Sequence, residues 1–279
     1  MVRSRRPMQF VKMHGAGNDF VLVDGRDGLQ ADWPEVARRV CDRHFGVGAD
    51  GLILVRNSDR ADFRMLVWNP DGSQTEMCGN GIRCFGRYLL DGPAQGRDAL
   101  AVETAAGVLT VTARGSTSWL QVSMGQPILN APDIPVAVDA KPVLDLPLPE
   151  LGIAVSCVSV GNPHAVQFVA DVQAVELAEL GPKVERHPLF PRRVNFHVCQ
   201  VLSPERLILR SWERGVGLTL ACGTGAAAAM VAARLKDLAS DVVRVRVPGG
   251  ELELAWDGAG EVLMTGPAEY VFRGELCEI

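Results

Sequence analysis

Long apolar runs are missing from this chain of 279 residues. No stretch approaches the roughly 18 consecutive apolar residues of a membrane span, so no membrane partner is expected. Positive charge is in short supply too. Lys and Arg number 28 against 33 Asp and Glu, a net charge of −5. That excludes a strongly cationic nucleic-acid binder on bulk charge, and no nucleic-acid partner is expected. None of the seven cysteines is paired as C-x-x-C, and no Cys/His group has zinc spacing, so no metal is expected. The nucleotide fingerprints G-x-G-x-x-G and G-x-x-x-x-G-K-[ST] are absent. The basic start Met1–Arg6 is followed by no apolar h-region and reads as a short disordered extension rather than an export signal. An odd cysteine count without export points to reduced thiols and a cytoplasmic location.

What is present is ordinary for a globular protein: 47% apolar and 22% charged residues. That composition rules out disordered, collagen-like and coiled-coil chains. The length suggests two domains.

The chain repeats itself. Met77-Cys78-Gly79-Asn80-Gly81 and Ala221-Cys222-Gly223-Thr224-Gly225 lie 144 residues apart. The same offset relates Gly17-Asn18 to Gly161-Asn162, Trp68 to Trp212, Thr75 to Thr219 and Asn69 to Glu213. An offset shared by separated segments is not a chance match. It implies two copies of one unit of roughly 120–140 residues, a usual domain size.

Local patterns support the duplication. Gln9–Lys12, Phe20–Asp24, Leu52–Arg56 and Phe63–Trp68 read as strands. Asp32-Trp33-Pro34-Glu35 opens a helix, with a capping Asp, Pro in the first turn and Glu three residues on. A second helix runs from Gly79 to Leu90, and three more strands follow. The second half repeats the order, with helices predicted near Asp171–Leu180 and from Gly223 to about Leu238. Pro127–Pro149 reads as a linker with an irregular edge. These patterns predict an α/β (α+β) fold of two pseudo-symmetric domains, residues 1–125 and 126–268, with a tail, 269–279, that could pair back onto either half and is assigned to the first.

Each copy places Cys-Gly-x-Gly at the mouth of a helix. First-turn N–H groups and the positive end of the helix dipole suit a carboxylate. The same place lowers a thiol pKa. Two such mouths facing one carbon would supply a thiolate base and a thiol acid on opposite faces, as inversion of a stereocentre requires. A lone cysteine in a Gly-rich turn is ordinarily a small buried hydrophobe. Cys41, Cys84, Cys157, Cys199 and Cys277 are read that way. Cys78 and Cys222 stand apart because they correspond within the repeat.

The blocks Phe10–Phe20, Asn69-Pro70-Asp71-Gly72-Ser73, Met77–Cys84, Gly161-Asn162-Pro163-His164, Glu213-Arg214-Gly215 and Ala221–Gly225 together closely resemble the diaminopimelate epimerase family, in order, from about Gln9 to Gly274. The resemblance implies a cofactor-independent epimerase interconverting LL- and meso-diaminopimelate, on the route to lysine and peptidoglycan. It implies two strand-rich half-barrels, each around a central helix, with the active site in the interdomain cleft, and commonly a homodimer. Carried onto this chain, Cys78 and Cys222 match the base and acid. Gly79, Asn80, Gly223 and Thr224 match groups holding the reacting carboxylate. Asn18, Asn69, Asn162, Asn195, Glu213 and Arg214 match substrate contacts, and His164 with Glu213 match positions that tune the thiols. Two departures stand out: Gly51, where many members carry a Gln that touches the substrate amine, and Leu218, where Glu is frequent and where an effect on loop packing is expected. A two-cysteine racemase or epimerase for proline, hydroxyproline or another amino acid is the alternative. A cyclic imino acid has no distal zwitterion for Arg214 and several Asn side chains to grip.

Overall fold

The computed structural model describes residues 7–75 and 78–277. Met1–Arg6, read as a disordered extension, and Met77 of the first cysteine block lie outside the described residues. The chain forms two compact units, Met1–Val122 with Gly266–Ile279, and Ser123–Thr265.

In the first unit, β1 (Met8–Gly15) and β2 (Asn18–Asp24) make an antiparallel hairpin. Its two turn residues, Ala16 and Gly17, both have positive φ, 52° and 83°, as a two-residue primed turn requires. α1 (Trp33–Cys41) follows, capped by the Asp32 carboxylate on the Glu35 N–H. β3 (Gly51–Arg56) pairs parallel with β2, and β4 (Phe63–Trp68) pairs antiparallel with β3. The far edge of β4 is then shared. Its start pairs with β6 (Ala99–Thr104), and its end with the two-residue β5 (Gln74–Thr75). The chain leaves β5 for α2 (Gly79–Leu90). β7 (Gly107–Arg114) and β8 (Ser116–Ser123) extend the sheet beyond β6.

The second unit repeats this path. β9 (Val143–Leu148) borders β10 (Ile153–Ser159), then β11 (Pro163–Phe168), α3 (Leu177–Glu185), β12 (Asn195–Ser203), β13 (Arg206–Glu213), β14 (Gly217–Thr219), α4 (Gly223–Leu235), β15 (Val242–Val247), β16 (Gly250–Ala255) and β17 (Leu263–Pro267). β11 and β12 are parallel, as are β13 and β15. Finally β18 (Glu269–Leu276) pairs antiparallel with β1, the place in the first unit that β9 takes beside β10 in the second.

The continuous apolar runs Phe20–Val23 and Leu52–Val55 have one cause: both faces of the sheet are covered there. Phe20, Leu22, Ile53 and Val55 pack toward α2, while Val21, Val23, Leu52 and Leu54 pack toward α1. α2 touches β1, β2, β3, β4 and β7, and α4 touches β10, β11, β12, β13, β15 and β16. Strands thus wrap one buried helix in each unit, a strand-rich mixed α/β fold. α4 is buried all round, and its Ala226-Ala227-Ala228-Ala229 run lets the surrounding strands approach. Among the described residues no helix is long and apolar enough to cross a membrane.

Three local readings need correction. The helix expected near Asp171–Leu180 is a 3-10 turn, Val172–Ala174, followed by α3, which continues through Gly181-Pro182. Packing overrides the breaker signal here, because Leu177, Gly181, Val184 and Glu185 form one buried face. The Pro-rich segment 127–149 contains a true strand, β9. Its Pro147 sits opposite Ala154 on a sheet edge, where a missing N–H costs nothing. Cys277 is exposed, whereas Cys41, Cys84, Cys157 and Cys199 are the buried thiols expected, each pushed up to about 12 by burial.

A Cβ on Gly181 would meet Trp212 Cγ at 2.4 Å and Cδ2 at 2.5 Å. Gly181→Ala gains about 1 kcal/mol of helix propensity but incurs an overpacking cost of about 1–3 kcal/mol. A net loss of about 1 kcal/mol is expected in urea unfolding. A variant as stable as the parent would show that the indole yields freely.

Candidate active site

Both cysteines of the repeat are N-cap residues. Cys78 caps α2 with extended backbone (φ −138°, ψ 114°), and Cys222 stands at the same place before α4 (φ −117°, ψ 103°). The split edges of β4 and β13 lead directly into these caps through β5 and β14. Strands of two and three residues leave no sequence signal. First-turn N–H groups have no partner within their own helix, so both mouths favour an anion.

In the first unit, the Cys78 sulfur accepts the Gly81 N–H at 3.4 Å, and the thiol donates to Asn18 Oδ1 at 3.7 Å. Asn18 is fixed from behind. Its Nδ2 donates to Asp50 at 2.7 Å, so its carbonyl oxygen faces the thiol and also accepts from Asn80 Nδ2 at 3.1 Å. Asp50 in turn takes Arg43 at 2.6 Å, and Arg43 also holds Asp19, which pairs with Lys12 at 2.6 Å. Burial opposes the charge on Asp19, but Arg43 and Lys12 outweigh it and bring the carboxyl down to about 2. Asn80 Oδ1 accepts from the fully buried Arg83 at 2.7 Å, which also donates to Gly79 O. Burial lowers Arg83 to about 10 against the pull of the Cys84 and Cys78 thiols, so it stays cationic beneath the mouth. A Cβ on Gly15 would lie 3.1 Å from Asn80 O, so that glycine lets β1 reach the mouth. Asn69, in the turn after β4, has its Nδ2 on Ser73 Oγ at 3.0 Å.

The second unit is built differently around the same frame. Cys222 is buried, 3.6 Å from Thr224 Oγ1. The sequence reading expects a lowered thiol at each helix mouth, and at Cys222 the structure reverses the direction. Burial pushes this thiol well up, and the Glu213 carboxylate pushes the same way, against Thr224 and the Gly225 N–H. Glu213 Oε1 accepts from Thr219 at 2.6 Å. Asn195 anchors the strand ends: its Nδ2 donates to Pro163 O at 3.0 Å, and its Oδ1 accepts the Arg214 N–H at 2.9 Å. The Arg214 guanidinium donates to Arg192 O at 2.9 Å.

His164 is wholly buried in a polar row. Its Nε2 donates to Asn162 Oδ1 at 2.7 Å, and its Nδ1 meets His197 Nε2 at 2.9 Å. His197 Nδ1 meets Ser211 Oγ at 2.8 Å. Burial keeps both rings neutral, taking His197 down to about 3 and His164 well below its ordinary range. The repeat shows what is special. At the shared offset, His164 takes the place of Phe20, His197 of Ile53, and Ser211 of Val67. A Cβ on Gly81 would touch Ile53 at 3.2 Å, and one on Gly225 would fall 2.3 Å from the His197 ring.

Sequence reasoning missed Asp50, Arg83, His197 and Ser211. For His197 a signal existed, since a lone imidazole interrupts the apolar strand Phe196-His197-Val198. Of the two departures, Gly51 is a packing glycine, because a Cβ there would sit 3.0 Å from Trp68 O. Leu218, expected to act on packing, instead points outward, 53% exposed.

The neutral histidine pair fixes a sign. In the unfolded chain these rings bind protons below about pH 6.5, and the fold refuses them. Stability is therefore complete above pH 6.5 and falls as pH drops toward 3. His197 alone contributes a slope approaching about 1.4 kcal/mol per pH unit. Depressed carboxylates such as Asp19 act only below about pH 4. Urea unfolding between pH 6.5 and 4.5 should therefore isolate the histidines, and His197→Ile should flatten the slope. A parent protein equally stable across that window would rule out the neutral pair.

The sequence pattern of a family described as diaminopimelate epimerase matches residues 10–130 and 156–271. Curated relatives agree. A diaminopimelate epimerase of Desulfitobacterium hafniense is 48% identical over 279 residues, covering 97% of this chain and 99% of its own. One from Moorella thermoacetica is 50% identical over 277 residues, covering 96% and 99%. Among solved structures, the fold is shared with a Bacillus anthracis phenazine biosynthesis protein of the PhzF family (TM-score 0.73, 16% identity, 98% of this chain and 100% of that one). It is also shared with a hydroxyproline epimerase from Agrobacterium vitis (TM-score 0.71, 16% identity, 99% and 94%).

Proposed function

The chain belongs to the diaminopimelate epimerase family, and on that footing we propose that it interconverts LL- and meso-diaminopimelate with two cysteines, Cys78 and Cys222, one removing the α-proton as thiolate and the other delivering its own proton from the opposite face. The observation that carries the mechanism is the matched placement of these cysteines, each the N-cap of the buried helix of its unit.

The chemistry balances without a redox step. A thiolate removes the α-proton, and the C–H electron pair moves into the adjoining carboxylate. The thiol on the other face delivers its proton to the carbon, so thiol and thiolate exchange roles. The difficulty is the charge that gathers on the carboxylate. The N–H groups of Gly79, Asn80, Gly223 and Thr224 are assigned to hold it, with the two helix dipoles behind them. Arg214 is assigned to the distal carboxylate, which a planar guanidinium grips through two N–H bonds. Asn18, Asn69, Asn162 and Asn195 are assigned to the remaining polar groups of the substrate. The Glu213 carboxylate, which raises Cys222, is assigned to keep that thiol protonated until a substrate arrives, with His164 beside it.

The reading includes a homodimer in the cytoplasm and requires no cofactor. Light scattering should give twice the chain mass, and protein dialysed against a chelator should keep its activity. Run with LL-diaminopimelate in deuterated water, the protein should yield early product deuterated at the inverted carbon while recovered substrate carries little. Equal early labelling of both would mean a single shared base. Cys78→Ala and Cys222→Ala should each cut turnover by about a thousandfold or more, because the pair acts as a unit. Either variant retaining a tenth of the activity would refute the assignment.

A further inference from the structure

We propose that His164, His197 and Cys222 form a chelating site for a soft divalent cation of the Zn2+ or Cd2+ class, built into the second unit alone. One ring nitrogen from each histidine and the Cys222 Sγ all lie within 4.8 Å of one another, and all three residues are buried; the two nitrogens that face each other are His164 Nδ1 and His197 Nε2. Two neutral imidazoles and a thiolate are the donors that such cations prefer over oxygen.

The outer hydrogen bonds make the case. A ligating histidine normally donates its other ring N–H to an oxygen, which fixes its tautomer. Both rings already have that oxygen. His164 Nε2 donates to Asn162 Oδ1 at 2.7 Å, and His197 Nδ1 lies 2.8 Å from Ser211 Oγ, which can accept as readily as donate. Without metal, one proton sits between the rings, whose near nitrogens are 2.9 Å apart. Moving that proton's place on His197 from Nε2 to Nδ1 turns both lone pairs toward one point. Ser211 then accepts where it had donated. The balanced step is M2+ with Cys–SH giving the metal thiolate and one released H+, with no change in the charge of either ring.

The geometry needs small movement. Tetrahedral zinc with Zn–N of about 2.0–2.1 Å holds two nitrogens about 3.3 Å apart, and nitrogen and sulfur about 3.6 Å apart. The rings must therefore part by a few tenths of an ångström, and the Cys222 side chain must turn inward. Gly225 makes the seat possible, since any Cβ there would lie 2.3–2.8 Å from the His197 ring atoms. The first unit is the internal control. Its Cys78 has Phe20 and Ile53 at the corresponding positions and cannot chelate this way.

Metal binding as such does not depend on the proposed reaction. Its consequence does: a Cys222 held by metal is unavailable as acid or base, so an occupied site would be an inhibited one. The test uses the full-length protein carrying Cys277→Ser, which removes the exposed thiol. Titration with Cd2+ should give one equivalent per chain, with a thiolate-to-metal ultraviolet band and one proton released. Cys78→Ser should keep the band, and Cys222→Ser should lose it. His197→Ile, which installs the residue of the first unit, should weaken binding by at least about 100-fold, and Ser211→Ala, by removing the outer oxygen, by about 10–100-fold. Circular dichroism and thermal melts check that each variant folds. Absence of the band in the parent, its persistence in Cys222→Ser, or unchanged affinity in both folded His197→Ile and Ser211→Ala would overturn the proposal. If binding fails while epimerisation is intact, only this inference falls.

Discussion

The first turn of an α-helix exposes N–H groups that its own backbone cannot satisfy, and the rest of this structure is arranged round two such turns. Each follows a strand edge shared between a long neighbour and a stub. Each begins at a cysteine in extended conformation. The supporting residues exist to hold these turns: Arg83 beneath the first, Gly15 letting β1 approach it, and the all-buried α4 behind the second.

A shared frame does not give a shared chemistry. Around Cys78 the distinguishing polar groups are an amide oxygen and a buried guanidinium. Around Cys222 they are a carboxylate and, where the first unit has Phe20 and Ile53, a pair of imidazoles. The duplication supplied two equivalent positions, and differences at matching places, Phe20 against His164, Ile53 against His197, Val67 against Ser211 and Asn69 against Glu213, make them chemically distinct. On the proposed mechanism, a reaction that runs in both directions over two unlike thiols need not begin from the same protonation state on each side.

Much of this was legible in the sequence, because it lay in patterns of local origin. The cysteine loops, the Asp32 cap and the alternation of the outer strands depend on residues close in the chain, and the 144-residue offset carried the cysteine loops into both halves. What was not legible depended on burial. Cys222 was expected to titrate low from its helix mouth, but desolvation outweighs the dipole once the thiol is covered. α3 ran through Gly181-Pro182 because a Trp212 ring waited there, which no local signal announces. Asp50 became part of the site only through a parallel strand pairing that brought it beside Asn18.

The edge strands carry a consequence for synthesis. β1 precedes every other described element, yet its outer edge is covered by β18, the last strand among the described residues. On the ribosome the first unit must wait, one edge unpaired and open to other chains, until β18 has emerged. The second unit has no such delay, since β9 precedes β10. The half that begins first is therefore completed last, and its exposure while it waits grows with every pause in translation.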